Sequence, residues 1–209
     1  MVLLKKQLRS AKFLYMELKN KYILLRHGQT IHQTQKKNIV YGWPDDNPPC
    51  GLTKKGREQI KEAAKKLKNE KIDLIFSSDA LRTKETAEIV AKELGLATIN
   101  YDARLRDINW GIYQGKTKFE AWAYYKNPQS KFKKAPPQGE SWNDCLKRVT
   151  DFLKELEQKY SGKTILIVSH GDPLWLLEGW FQGKTQKQLL LQKFTGNTIK
   201  TGEIRKLNL

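Results

Sequence analysis

Two short stretches of the chain place histidines where they can do chemistry. "YILLRHGQT", residues 22 to 30, is an apolar run that stops at Arg26-His27-Gly28, and "TILIVSHGDP", residues 164 to 173, is a second apolar run that stops at Ser169-His170-Gly171. The chain has only 3 histidines, and two of them share this setting. Imidazole serves as a nucleophile or an acid–base group near neutral pH. A glycine directly after each histidine permits a tight turn and brings backbone N–H groups close to an anion. Arg26 adds a planar donor fork suited to phosphate, and Arg82, just beyond "FSSDAL", is placed to add another. Together with a helix N-terminus, these groups describe a phosphate site. The third histidine, His32, has no such context and reads as a loop residue without a direct chemical role.

Elements that alternate between strand and helix must bring these residues together. Residues 22–26, 72–78 and 164–169 read as strands buried on both faces, and 98–101 as a shorter one. Helical spacing covers about 53–69, with Thr53 as its cap, then 82–94, 140–160 and about 173–181, and one or two strands are expected near the C-terminus. Buried strands separated by helices indicate an α/β fold with a largely parallel sheet. In such sheets a ligand lies beyond the carboxyl ends of the strands, where both His-Gly pairs and Ser77-Ser78 emerge.

Composition narrows the class. A chain of 209 residues with 39% hydrophobic content supports one domain with a sizeable core. No apolar stretch approaches the roughly 18 residues a membrane helix needs, so no membrane span is expected and a cytoplasmic location is the default. Cys50 and Cys145 have neither metal-ligand spacing nor a disulfide framework. The net charge of +17 attracts anions in general, but it is mostly lysine spread along polar helix faces, so no dedicated nucleic-acid site is expected. Residues 1–20 form a basic extension to a domain spanning 21–209. They read as an amphipathic helix, a transit-like peptide or a tail, or as lying upstream of a start at Met16.

The blocks "LLRHGQT", "LTKKGREQI", "IFSSDALRTKETA", "LRDINWGIYQG", "GESWNDCLKRV" and "IVSHG" resemble, in this order, the histidine phosphatase superfamily, also called phosphoglycerate mutase-like. The resemblance implies a three-layer α/β/α sandwich with a mostly parallel central sheet, and a phosphoryl group passed through a phosphohistidine with no metal and no other cofactor. It makes His27 the nucleophile, gives Arg26, Arg82 and His170 the phosphoryl oxygens, and points to Asp107, four residues before Gly111, as the acid–base carboxylate. Most relatives carry glutamate there, one methylene longer. Gln33 stands where the family has a phosphate-contacting asparagine, and Tyr41, Gly42 and Gly171 join the substrate-binding set. Glu140 reads either as a partner for an arginine or as the front of a capped helix.

The expected function is a phosphomonoesterase acting on a small phosphorylated metabolite, in a monomer or homodimer. A phosphoglycerate mutase is the first alternative and a basic nucleic-acid-binding protein on an inactive phosphatase fold the second. The mutases carry a longer insertion with paired arginines that hold the substrate carboxylate, whereas residues 116 to 139 offer only lysines. Eight aromatic side chains within 110 to 142 suit either an aromatic, basic cover over the site or ordinary inward packing.

Overall fold

The structure, a computed structural model, describes residues 18–35, 38–41, 43 and 50–207. Residues 1–17 of the basic extension, and Gly42, lie outside the described residues. Five strands form one sheet: β1 (Lys21–Arg26), β2 (Leu74–Ser77), β3 (Ile99–Tyr101), β4 (Thr164–Ser169) and β5 (Ile204–Leu207). Their order is β3-β2-β4-β1-β5, parallel except for β5, which runs antiparallel to β1. β4 thus lies between β2 and β1, and the carboxyl ends of all three point the same way. Arg26 pairs with Ser169 and Ser77 with Val168, so the first residues beyond these strands start at nearly the same height.

Alternation along each strand explains the layers. Tyr22, Leu24, Ile165 and Ile167 face one core, closed by α5 (Trp142–Lys159) and α6 (Gly171–Phe181). Ile23, Leu25, Leu166 and Val168 face the other, closed by α2 (Lys54–Leu67) and α3 (Leu81–Leu94). This is the expected three-layer α/β/α sandwich. In α2 the buried Ile60, Ala63, Ala64 and Leu67 recur at one-face spacing, and Thr53 caps the helix by accepting from the Gly56 N–H at 2.9 Å. Gly95 ends α3 with φ of 69°, a conformation glycine adopts without a steric cost.

One expectation about the C-terminal region needs correction. Before the single strand β5 comes a helix, α7 (Gln186–Phe194), opened by a capping box in which Thr185 and Gln188 bond each other's backbone N–H groups. Two shorter helices, α1 (Ile31–Thr34) and α4 (Lys118–Ala123), lie in the loops after β1 and after residue 110.

The aromatic stretch mostly packs inward. Trp110, Tyr125, Phe132 and Trp142 are buried with Trp175 of α6 and Leu189 of α7 in a third cluster, while Phe119 is 84% exposed. Inside that cluster the Lys131 side chain is buried, its Nζ 3.2 Å from the Trp110 ring centroid and 4.9 and 5.0 Å from those of Trp122 and Trp142. Rings that present their negative faces can hold an ammonium in this way.

Candidate active site

His27 follows β1 directly and is 3% exposed. Its Nδ1 lies 2.8 Å from the Gly28 carbonyl oxygen. A carbonyl only accepts, so Nδ1 carries the proton and Nε2 keeps its lone pair. Burial, and then the charges of Arg82 and Arg26, hold His27 well below its ordinary pKa of 6.5. The ring is therefore a neutral imidazole with its unprotonated nitrogen directed away from the backbone.

The turn that carries His27 depends on close approach. A Cβ on Gly28 would stand 2.5 Å from the Gly56 carbonyl oxygen and 3.0 Å from Ile60. Backbone cannot yield as a flexible side chain can. Gly28→Ala is expected to destabilise the fold by about 1–3 kcal/mol, the usual cost of overpacking, and to displace His27. Urea unfolding of the variant beside the wild type measures this; an unchanged midpoint would mean that α2 gives way freely.

His170, the residue after β4, is completely buried and meets His27 edge-on, with ring centroids 5.3 Å apart. Arg82 of α3 donates from Nε to His170 Nδ1 at 3.2 Å. Guanidinium always donates, so in the neutral ring the proton sits on Nε2, which donates to Ser78 Oγ at 2.9 Å. Burial first, then Arg82 and His27, push His170 well below its ordinary value too. The ends of β1, β2 and β4 thus meet through His27, Ser78 and His170, as the sheet topology requires.

Arg26 closes the cluster from the end of β1. Its Nη1 donates to the Ile199 carbonyl at 2.9 Å, while its buried Nε has no hydrogen-bond partner among the described residues. A Cβ at residue 171 would come within 3.1 Å of the Arg26 guanidinium carbon, so Gly171 is what lets that guanidinium pack against the first turn of α6. An unpaired guanidinium N–H beside a helix N-terminus is a place for an anion.

Asp107 enters from the loop after β3. Its Oδ1 accepts from the Ile108 N–H at 3.0 Å, and its Oδ2 lies 3.9 Å from Arg82 Nη2. Burial, and next the negative charge of Asp172, raise its pKa above the ordinary value of 3.8, against the opposing pull of Arg82 and Arg26. Its backbone is held by Arg148 of α5, which donates to the carbonyls of Arg104, Arg106 and Asp107 at 2.6, 2.7 and 3.0 Å. Glu140 accepts from Arg148 at 2.6 and 3.0 Å. Of the two readings of Glu140 the structure selects the arginine partner; the helix cap is Ser141, in a capping box with Asp144.

Arg26, His27, Arg82 and Asp107 open on a cavity of about 390 Å³ whose walls also include Gln33, Tyr41 and Gly171, whereas the fully buried His170 is not among the residues that line it. The size suits a small molecule. Gln33 caps α1, its side-chain oxygen accepting from the Thr30 N–H at 2.9 Å. His32 also lines the cavity and stacks on Tyr41, with centroids 3.7 Å apart. Of the aromatic stretch, only Trp110 and Trp122 reach this wall among the described residues. A wider groove of about 660 Å³ between α2 and residues 196–205 contains none of the histidines or of Arg26, Arg82 and Asp107. Asp172, Lys193 and Thr198 line the site without having been anticipated from the sequence. Lys193 belongs to α7, whose one sequence signal is the T-x-x-Q cap at Thr185. Among the described residues no group of three or more His, Cys, Asp or Glu side chains is placed to hold a metal ion, and no helix is long and apolar enough to cross a membrane.

The chain is similar to known proteins in sequence and in fold. The family described as histidine phosphatase superfamily (branch 1) matches residues 22–200. A 2,3-bisphosphoglycerate-dependent phosphoglycerate mutase of Parvibaculum lavamentivorans is 31% identical, over 90% of this chain and 95% of its own length. Among solved structures, Bacillus stearothermophilus YhfR is 27% identical, with a TM-score of 0.75 and 90% of each chain covered. A mycobacterial glucosyl-3-phosphoglycerate phosphatase is 25% identical, with a TM-score of 0.73, over 89% of this chain and 88% of its own.

Proposed function

Since the chain belongs to the histidine phosphatase superfamily, branch 1, we propose that it is a cytoplasmic, metal-independent phosphomonoesterase that hydrolyses a small phosphorylated metabolite through a phosphohistidine at His27. The observation that carries this reading is the state of His27: Nδ1 bound to the Gly28 carbonyl, Nε2 unprotonated, and the ring enclosed by Arg26 and Arg82.

In the first step Nε2 attacks phosphorus in line with the ester oxygen. The P–N bond forms, the P–O bond breaks, and Asp107 gives its proton to the departing oxygen. Arg26 and Arg82 neutralise the equatorial oxygens, and the Nε2 proton of His170, shared with Ser78 in the structure, is the donor that His170 offers them. In the second step water attacks phosphorus, Asp107 takes a proton from it, the P–N bond breaks, and inorganic phosphate leaves. A carboxyl held above its ordinary pKa suits both halves of this cycle.

The lack of arginine in the cover supports hydrolysis over phosphoryl transfer. Between 116 and 139 there are lysines and no arginine. Lys131 is enclosed by rings, and Lys134 donates to the Tyr124 carbonyl at 3.0 Å and lies 3.7 Å from that ring. Of the lysines in that segment only Lys118 lines the cavity among the described residues, so the paired arginines that fix a carboxylate in the mutases have no counterpart there. A second reading, phosphoglycerate mutase, is favoured by the names of the curated relatives at about 30% identity. Phosphate release from a panel of phosphorylated metabolites, measured beside the interconversion of 2- and 3-phosphoglycerate primed with the bisphosphate, separates the two. Hydrolysis is expected to dominate; interconversion exceeding it would overturn the phosphatase reading.

The pH dependence follows from His27. Protonation of Nε2 abolishes attack, and a pKa held well below 6.5 keeps the nucleophile free in mildly acidic solution. The burst of phosphoenzyme formation from an aryl phosphate, which needs little help in leaving, is therefore expected to stay level as pH falls through 6.5. A half-maximal burst near pH 6.5 would show that burial and the arginines do not lower the pKa of His27 as described.

A further inference from the structure

His170 raises a question of access. Its ring is fully buried and does not line the cavity, whereas Arg82, which donates to it, does. On the other side of the ring stands Ser78, also fully buried and also absent from the cavity wall. Ser78 therefore cannot meet a substrate held in that cavity, and no step of the reaction above acts on its hydroxyl.

The three residues nevertheless form one chain of hydrogen bonds. Arg82 Nε donates to His170 Nδ1 at 3.2 Å, and His170 Nε2 lies 2.9 Å from Ser78 Oγ. A neutral imidazole carries one proton, and Nδ1 is already accepting, so the proton is on Nε2 and Ser78 accepts it. Ser78 is the fixed end of the chain. Its N–H donates to the Val168 carbonyl of β4 at 3.0 Å, and its carbonyl accepts from Ser77 Oγ at 2.8 Å and from Thr83 Oγ1 at 2.9 Å. The end of β2 and the first turn of α3 thus hold one oxygen in place, and the His170 ring passes that position on to a guanidinium.

An arginine fork is planar and rigid, so a bond at Nε sets the direction of both Nη groups. In Arg82 the Nε–H is turned to His170, and Nη2 lies 3.9 Å from Oδ2 of Asp107, a residue of the cavity wall. We propose that Ser78 is a positioning residue for phosphate binding: its hydroxyl holds the His170 ring so that Nδ1 accepts from Arg82 Nε, which aims the outer nitrogens of Arg82 at the phosphoryl oxygens. The proposal rests on Arg82 being a phosphate ligand in the function proposed above. Nδ1 stays with Arg82 throughout, while the Nε2 proton serves Ser78 or a bound oxygen.

The chain has 3 histidines, so long-range ¹H–¹⁵N spectra of the full chain resolve each imidazole, with His27→Ala and His32→Ala identifying two of them. In the wild type His170 should show an unprotonated Nδ1 and a slowly exchanging Nε2 proton. Ser78→Ala removes the acceptor of a buried donor. Exchange of that proton with water should speed, and affinity for inorganic phosphate, followed by ³¹P NMR, should fall roughly 5- to 50-fold. Ser78→Thr keeps the hydroxyl and should recover most of the affinity. Arg82→Lys has no donor in place of Nε, so in that background Ser78→Ala should change phosphate affinity by less than about 2-fold. A proton on Nδ1 of His170 in the wild type overturns the proposal. So does Ser78→Ala that loses stability but keeps its phosphate affinity, or a full loss that persists beside Arg82→Lys. If the added methyl of Ser78→Thr prevents folding, the Ser78→Ala and Arg82→Lys pair decides. Wild-type protein that binds phosphate but hydrolyses no ester would refute the phosphatase reading and leave Ser78 to be judged on these results; wild-type protein that binds none would remove the phosphate site and this proposal together.

Discussion

His27→Ala is expected to reduce turnover to background, a loss of roughly 10⁴- to 10⁶-fold, with the fold retained. Near His27, Lys193 is held by Asp172 at 2.6 Å, and His170 is engaged through both ring nitrogens, by Arg82 and Ser78. Arg26 and Arg82 remain in the variant, so phosphate esters should still bind. The combination is diagnostic. Steady-state assay with an aryl phosphate gives the rate, and inhibition by inorganic phosphate or vanadate on a residual-activity or binding assay gives the affinity. Near wild-type turnover in His27→Ala would place the chemistry elsewhere.

Asp107→Asn is expected to lower phosphorylation of His27 by alkyl esters by roughly 10²- to 10⁴-fold and by aryl esters far less. The amide keeps the size of the carboxyl and can still accept from the Ile108 N–H, and the Arg148 contacts to the backbone are untouched. What it loses is the proton. An alkoxide needs that proton badly, whereas a phenolate leaves without it. Water attack on the phosphohistidine should slow as well, because the base is lost, so the phosphoenzyme should accumulate with aryl substrates. Rapid-quench bursts on both ester types measure the first step alone. An equal loss for both would mean that Asp107 only positions the site. Glu140 could not then take over, since its carboxylate is committed to Arg148 and to the Asn109 N–H.

The part of this arrangement that follows strand periodicity was legible in the sequence. A strand buried on both faces leaves a continuous apolar run, and its end is marked by the first polar residues, so the sequence itself places His27, Ser78 and His170 at neighbouring strand ends. The family blocks added Asp107, which the structure places on the same cavity wall as His27 and Arg82. What could not be read is the part created by tertiary convergence. The lysines of 116 to 139 look equivalent in sequence, and nothing local distinguishes Lys131; its burial arises because Trp110, Trp122 and Trp142, distant in sequence, meet around it. Asp172 looks like an acid that merely complements the dipole of α6, whereas its carboxylate accepts from Lys193 Nζ at 2.6 Å. Lys193 was missed because α7 was. Of its residues only Leu189 is buried, so "QKQLLLQKF" has no apolar stripe, and Leu191 and Phe194 face outward. The aromatic cover was readable in composition but not in direction, because inward packing and wall formation require the same residue types.

The most direct test of the account is to trap the covalent intermediate. Wild-type protein mixed with a ³²P-labelled phosphate ester and quenched within milliseconds should carry label that survives alkali and is lost in acid, as a phosphorus–nitrogen bond requires. Peptide mapping should place it on His27, and His27→Ala should carry none. Label on another residue, or turnover of the ester with inorganic phosphate released and no labelled protein at any quench time, would contradict a phosphohistidine mechanism at this site.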